Sequence, residues 1–298
     1  MAAIVCLGIA VRDFVFTVPS LPPVSQKTAA SAFFKRGGGM AATAAVAAAA
    51  LGGKVDYWGR LGDDDTGREL RFELQSHGVQ VRAPSIPGTQ TPTATVLVAD
   101  NGERMLTVFP GRLDDSDDWL PLESLASVQA VHADFRWPRG ARALYAAAAT
   151  RGIPRVLDAD IGDPDAVRSL LPLVNHAIFS LPGLAQLAGD ADIGAGLRKA
   201  ASLTEGVVGV TLGEQGSVFL IDGVAHCVPA PKVAARDTNG AGDVFHGAYT
   251  LALAQGLGVI DASRFATIAA ALKCRNGSGW EAVPDRAAVN EFSKGCVW

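Results

Sequence analysis

Six short apolar runs, "AIVCLGI", "VDYWG", "AVHAD", "RVLDAD", "HAIFS" and "GVVGVTL", recur along most of the chain, separated by alanine-rich or leucine-rich stretches of helical length. Such runs read as strands buried on both faces, and strands that alternate with helices belong to a parallel sheet covered on each side. The pattern predicts an α/β fold around a central, mostly parallel sheet. With 298 residues and 49% hydrophobic content, the chain is long enough to bury that core.

Two segments break the alternation. Residues 13 to 35 and 91 to 109 look like exposed strands, and the second contains "VLVADNGERML", where Asn101-Gly102 between apolar runs signals a hairpin. They predict a small separate sheet. "VFLIDGVAHCV" repeats the signal at Asp222-Gly223 and reads as a local meander. The run Met40 to Leu51, almost all alanine, is too short to span a bilayer and reads as a buried helix. Thr66 and Glu69 match a capping box after the acidic loop Asp63 to Asp65, which reads as solvated and cap-forming rather than metal-binding.

Other features bound the function. "MAAIVCLGIAVRD" reads as a first strand, not a signal peptide. A net charge of −4 without a basic cluster points away from nucleic acid and anionic membrane and toward small molecules. Cys6, Cys227, Cys274 and Cys296 are scattered without a C-x-x-C, which points to reduced thiols in the cytoplasm rather than a zinc site or disulfide framework.

The stretch that carries chemistry is "RDTNGAGDVFHGAY", residues 236 to 249. Asn239-Gly240-Ala241-Gly242 is poor helix material, whereas Val244, Ala248, Leu251, Ala252 and Leu253 follow helical spacing, so the turn opens a helix. The first turn of a helix has unpartnered amides and about half a positive charge, which suits an anion. Asp243, in that turn, has a plain reading as an acid stabilising the helix dipole by about 0.3–1 kcal/mol. That reading leaves the glycines flanking Ala241 unexplained, and they fit a group that approaches the backbone closely. His246 reads as a packing or capping residue. Asp158 and Asp160 end a central strand, where open α/β sheets build their sites, although capping the next helix is their other reading.

"DTNGAGD" matches the D-T-x-G-A-G-D signature, and "GGMAATAAVAAAALG", "GRLGDDDTG" and "VTLGEQGS" stand in the right order around it. On these motifs the chain resembles the ribokinase-like carbohydrate kinases of the phosphofructokinase B superfamily over nearly its whole length. "DFRW", "VLDADI", "FSLPGLAQLAG" and "AALKC" are most similar to the sulfofructose kinases within it. The resemblance implies one domain over residues 1–298, with a Rossmann-like three-layer core and a β-sheet lid from segments about 12–36 and 88–112. It implies transfer of the γ-phosphate of ATP to a primary hydroxyl of a ketose-type sugar.

In that family context Asp243 would be the general base, and the amides of Gly240, Ala241 and Gly242 the anion hole. Asp13, Gly38, Gly39 and Thr43 would meet the sugar. Thr211, Gly213, Gly216, Asn239 and Cys274 would meet the nucleotide, with the helix from Ser263 to Cys274 over adenine. Magnesium is implied with ATP; "SLPG" at 180 to 183 replaces an N-x-x-E element, and Asp158 and Asp160 would reach the ion through water. A monovalent cation near Asp237 and Thr238, used by many relatives, and a homodimer formed through the lid are further implications.

Lys27 and Arg136 stand where sulfofructose kinases grip the sulfonate, but Val108 replaces a lid asparagine. One missing hydrogen bond to a charged group is worth about 1.5–3 kcal/mol. The expectations are therefore 1-phosphorylation of 6-deoxy-6-sulfofructose; a neutral-sugar kinase of the fructokinase, ribokinase or 2-keto-3-deoxygluconate type; or a non-catalytic regulator that binds sugar or nucleotide.

Overall fold

A computed structural model describes residues 1–298 except Val24, Asp190, Ala191 and Val297. Among the described residues the first part of the chain forms β1 (Ala3–Gly8), β2 (Val11–Val18), β3 (Ala32–Gly38), α1 (Met40–Ala50), β4 (Lys54–Gly59), β5 (Leu61–Gly62), α2 (Asp65–Ser76), β6 (Val79–Arg82), β7 (Ser85–Ile86), β8 (Thr93–Ala99) and β9 (Arg104–Phe109). Then come β10 (Ala130–Asp134), α3 (Pro138–Ala149), β11 (Arg155–Ala159), α4 (Pro164–Leu170), β12 (His176–Ser180), α5 (Leu181–Ala188), α6 (Ile193–Ala201) and β13 (Val207–Thr211). The chain closes with β14 (Ser217–Ile221), β15 (Val224–Val228), α7 (Ala241–Ala254), α8 (Val259–Asn276) and α9 (Arg286–Ser293).

The six apolar runs are β1, β4, β10, β11, β12 and β13, and all lie in one sheet of order β15-β14-β13-β12-β11-β10-β1-β4-β6. Its strands run parallel from β13 to β6, as predicted. β14 and β15 extend one edge in antiparallel fashion. Asp222 and Gly223 turn between them with φ of +50° and +78°, the doubly positive turn that matches strand twist.

Helices cover both faces. On one face the buried alanines of α1 pack with Val244, Tyr249 and Leu251 of α7 and with Ala266 and Leu272 of α8. A side chain at Gly247 would lie 2.1 Å from the carbonyl oxygen of Ala44, so α1 and α7 meet backbone to backbone. Leu144, Leu170, Leu184 and Leu197, from α3 to α6, pack against the other face. No described helix is long and apolar enough to cross a membrane.

The two segments that broke the alternation form the predicted separate sheet, of order β3-β2-β8-β9. β2 and β8 pair in parallel, and Gly102, with φ +87°, lies in the turn that joins β8 to β9. Register places Arg36, Asp13, Ala94 and Val108 in one cross-strand row, and Phe34, Val15, Val96 and Leu106 in the row two residues along on the same face.

The capping expectation at α2 needs correction. The cap is Asp64, not Thr66, which lies within the first turn. Asp64 accepts hydrogen bonds from Gly67 N–H (2.8 Å), Thr91 Oγ1 (2.7 Å) and Thr91 N–H (2.8 Å). A carboxylate held by three donors outcompetes a threonine hydroxyl for the role. Glu69 instead reaches Lys35 at 3.2 Å.

Buried Asp134 joins the sheet to its surroundings. Its carboxylate accepts from the main-chain N–H groups of Ile9 (2.8 Å), Ala41 (3.2 Å) and Arg136 (2.8 Å), which lie beyond β1, in the first turn of α1 and beyond β10.

Candidate active site

A cleft of about 470 Å³ opens between the second sheet and the C-terminal ends of the central strands. Asp13, Arg36, Gly38, Gly39 and Thr43 line one side, and Asp160, Asn239, Gly240, Ala241, Gly242, Asp243 and Lys273 the other.

The turn before α7 is built from its own sequence. Asp237 Oδ1 accepts from Asn239 N–H at 2.9 Å, Ala241 N–H donates to Thr238 O at 3.2 Å, and Gly240 takes φ +72°, which glycine adopts without strain. No described side chain caps the helix. A Cβ on Gly242 would meet nothing within 4 Å, and one on Gly240 only Thr43 Cγ2 and Asp243 Oδ2, at 3.6 and 3.7 Å. The amide end of α7 therefore faces open space.

Asp243 is half-buried in the cleft wall. Removal from water, with the carboxyl of Asp158 behind it, holds its pKa well above the usual carboxylate value. His246 is buried within α7, where its Nδ1 donates to Gly242 O at 2.8 Å, so of the two expected roles it is a packing residue and not a cap. Asp158 lies outside the cleft, 3.3 Å from His246 Nδ1, and burial raises its carboxyl far above the ordinary range. Asp160 does reach the cleft and accepts from the Ser180 hydroxyl. Ser180 in turn caps α5 through Gly183 N–H at 3.0 Å, so "SLPG" is a helix start.

On the opposite wall burial pushes the Asp13 carboxyl up to about 6, with Arg36 and Arg12 opposing the shift. Gly38 passes close to Asp13, and Gly39 takes φ +97° where a Cβ would stand 2.6 Å from Ile9 O. The Thr43 hydroxyl accepts a 3.0 Å hydrogen bond from the indole N–H of Trp280.

Several lining residues were not foreseen. Arg36 and Arg104 approach Asp237 at 3.5 and 3.1 Å from two lid strands. Lys273 and Trp280 complete the wall. A neighbouring space of about 210 Å³ continues beneath the lid past Val15, Phe34, Val96 and Val98. Strand alternation carried the signal for Arg36, two residues before Gly38, and for Arg104, four before Val108, once register was known.

Other expected residues lie elsewhere. Lys27 is exposed between β2 and β3, away from the cleft lining. Arg136 is exposed, stacks on Phe135 at 4.5 Å and donates to Ile161 O at 3.3 Å, also outside that lining. Thr211 ends β13, followed by Gly213 and by Gly216 with φ +94°, at the same end of the sheet but beyond the cleft. Cys274 is buried, and its carbonyl accepts from Arg236 N–H at 2.8 Å and Asp237 N–H at 3.3 Å. No group of three or more His, Cys, Asp or Glu among the described residues is arranged to hold a metal ion.

Known proteins share this architecture. The chain is 26% identical over 303 residues to the ribokinase of Bacillus subtilis, covering 98% of this chain and 99% of that one. It is 25% identical to the fructokinase of Vibrio alginolyticus, covering 80% and 82%. A candidate ribokinase from Agrobacterium tumefaciens superposes with a TM-score of 0.93 at 31% identity, covering 98% and 97%. Arabidopsis thaliana ribokinase, in complex with ribose and ATP, superposes at 0.86 with 25% identity, covering 99% of each chain. Residues 1–286 match the family described as pfkB family carbohydrate kinase, and the chain belongs to that family.

Proposed function

We propose that this chain transfers the γ-phosphate of ATP to a primary hydroxyl of a sugar held between Asp13 and Asp243. The observation that carries this reading is the single cleft in which both carboxylates face the open amide end of α7. The likeness to a ribokinase solved with ribose and ATP supports it.

Asp243 acts as general base. Its raised pKa makes it a stronger proton acceptor than an ordinary aspartate, and it takes the hydroxyl proton as the oxygen attacks phosphorus. The amides of Gly240 and Gly242 supply fixed donors to the transferring phosphoryl oxygens, while that of Ala241, expected beside them, donates to Thr238 O within the turn. Asp13 orients the sugar through its hydroxyls. Thr211, Gly213, Gly216 and Cys274 belong to the nucleotide side, together with Asn239. Asp160 is a cleft carboxylate available to a magnesium ion, directly or through water. When bound, magnesium neutralises phosphate charge.

For the sugar, a neutral ketose or pentose is the better supported reading. Val108 stands in the cross-strand row of Asp13 and offers no hydrogen bond, and Val108, Lys27 and Arg136 all lie outside the cleft lining. The second reading is 6-deoxy-6-sulfofructose, favoured by the guanidinium groups of Arg36 and Arg104 at the cleft. An ADP-release assay with sulfofructose, fructose, fructose 6-phosphate, ribose and 2-keto-3-deoxygluconate separates them. Activity on a neutral sugar that survives Lys27→Ala and Arg136→Ala supports the first. Activity confined to sulfofructose rejects it, and ATP binding without transfer to any of these sugars supports a regulator.

A second copy of the chain docking on the lid is part of this reading. Phe33, Met105, Leu106, Val108 and Phe109 are exposed there, and β9 is a sheet edge. The free cysteines suit the cytoplasm.

A further inference from the structure

Lys273 stands in the last turn of α8, where a lysine ordinarily faces water and complements the helix dipole. This one is 2% exposed. Its ammonium lies under the turn before α7 and donates to Asp237 O at 3.1 Å and to Asn239 O. Burial lowers its pKa while Asp237 opposes the shift.

The two carbonyls belong to the turn that meets phosphate in the proposed reaction. The Asn239 carbonyl and the Gly240 N–H are the two ends of one peptide unit. Charge drawn toward the oxygen by an ammonium strengthens the N–H as a donor on the cleft side. Arg36 and Arg104 hold the Asp237 side chain from the lid, so the main-chain carbonyls are left to Lys273. A monovalent cation near Asp237 and Thr238 would need main-chain oxygens of this kind. Two of them already hold the ammonium, so the residues here do not fit an added ion.

We propose that Lys273 is a built-in cation: a positioning residue whose ammonium holds the phosphate turn and makes catalysis independent of potassium or sodium. The inference rests on the phosphate role of the turn proposed above.

Calorimetric binding of ATP with magnesium tests it, in tetramethylammonium chloride and in potassium chloride, alongside ADP release with ribose and fructose. The wild-type protein is expected to bind ATP within twofold of the same affinity in both salts. Lys273→Met is expected to bind about tenfold more weakly in tetramethylammonium, the loss typical of a hydrogen bond to a charged group. Potassium or ammonium ions should restore most of that loss. Fivefold or greater stimulation of the wild-type protein by potassium overturns the proposal, and needs no variant to fold. So does a folded Lys273→Met protein with wild-type affinity in tetramethylammonium, or a weakening that no monovalent ion relieves. A wild-type protein that binds no ATP in either salt rejects the phosphate role of the turn, a different outcome from cation dependence.

Discussion

Arg104 Nη2 lies 3.1 Å from Asp237 Oδ1, so the last lid strand is tied to the residue that begins the turn before α7. The arginine side chain is 37% exposed, and a pair so open to solvent contributes at most about 1 kcal/mol to folding. The pair bridges the second sheet and the turn beside the cleft.

Arg104→Met should therefore raise KM for the sugar about fivefold, the equivalent of about 1 kcal/mol, with kcat nearly unchanged. Its melting temperature should fall by no more than about 4 °C. A kcat loss with unaltered KM would assign Arg104 to the chemical step instead.

Asp243→Asn removes the proposed base but keeps its shape. Turnover should fall about 10²–10⁴-fold while ATP affinity by calorimetry stays level. Wild-type turnover in this variant would remove Asp243 from its role.

The same variant makes a stability prediction of opposite sign. The folded protein holds Asp243 above its unfolded pKa, so the contribution is fully present in acid and is lost as pH rises through the folded value. Asn has no such titration. Melting curves should show Asp243→Asn gaining on the wild-type protein between acid and pH 8.

Asp13 titrates at about 6, and the ionised form is the stronger acceptor of sugar hydroxyls. KM for the sugar should rise as pH falls through that value, tenfold or more if one charged hydrogen bond is lost. Asp13→Asn should have a raised KM that no longer varies over the same range.

Thr43→Val is nearly isosteric but leaves the buried Trp280 N–H without its acceptor. Urea denaturation should show a loss of about 1–3 kcal/mol. A change within error would place a different partner on the indole.

Much of this architecture was legible in the order of residues. The strands of the central sheet announce themselves as apolar runs, and the turn before α7 is a local structure written in seven consecutive residues. What escaped notice depends on distant parts of the chain meeting. Arg104 and Asp237 are 133 residues apart, Trp280 and Thr43 237, and Lys273 and Asp237 36. Lys273 looked like any basic residue ending a helix, because nothing nearby in sequence marks the carbonyls beneath which it folds. The expected capping box at Thr66 failed for the same reason. Thr91, from beyond α2, selects Asp64 as the cap.

The parallel pairing of β2 with β8 joins two remote stretches of chain in one sheet. Asp13 rides on its first strand and Val108 on its last, in the same row. Under the proposed function, the carboxylate assigned to the sugar hydroxyls and Val108 of the lid hairpin therefore belong to one sheet. A substitution that shifts this sheet should then change sugar affinity and sugar preference together, rather than one alone.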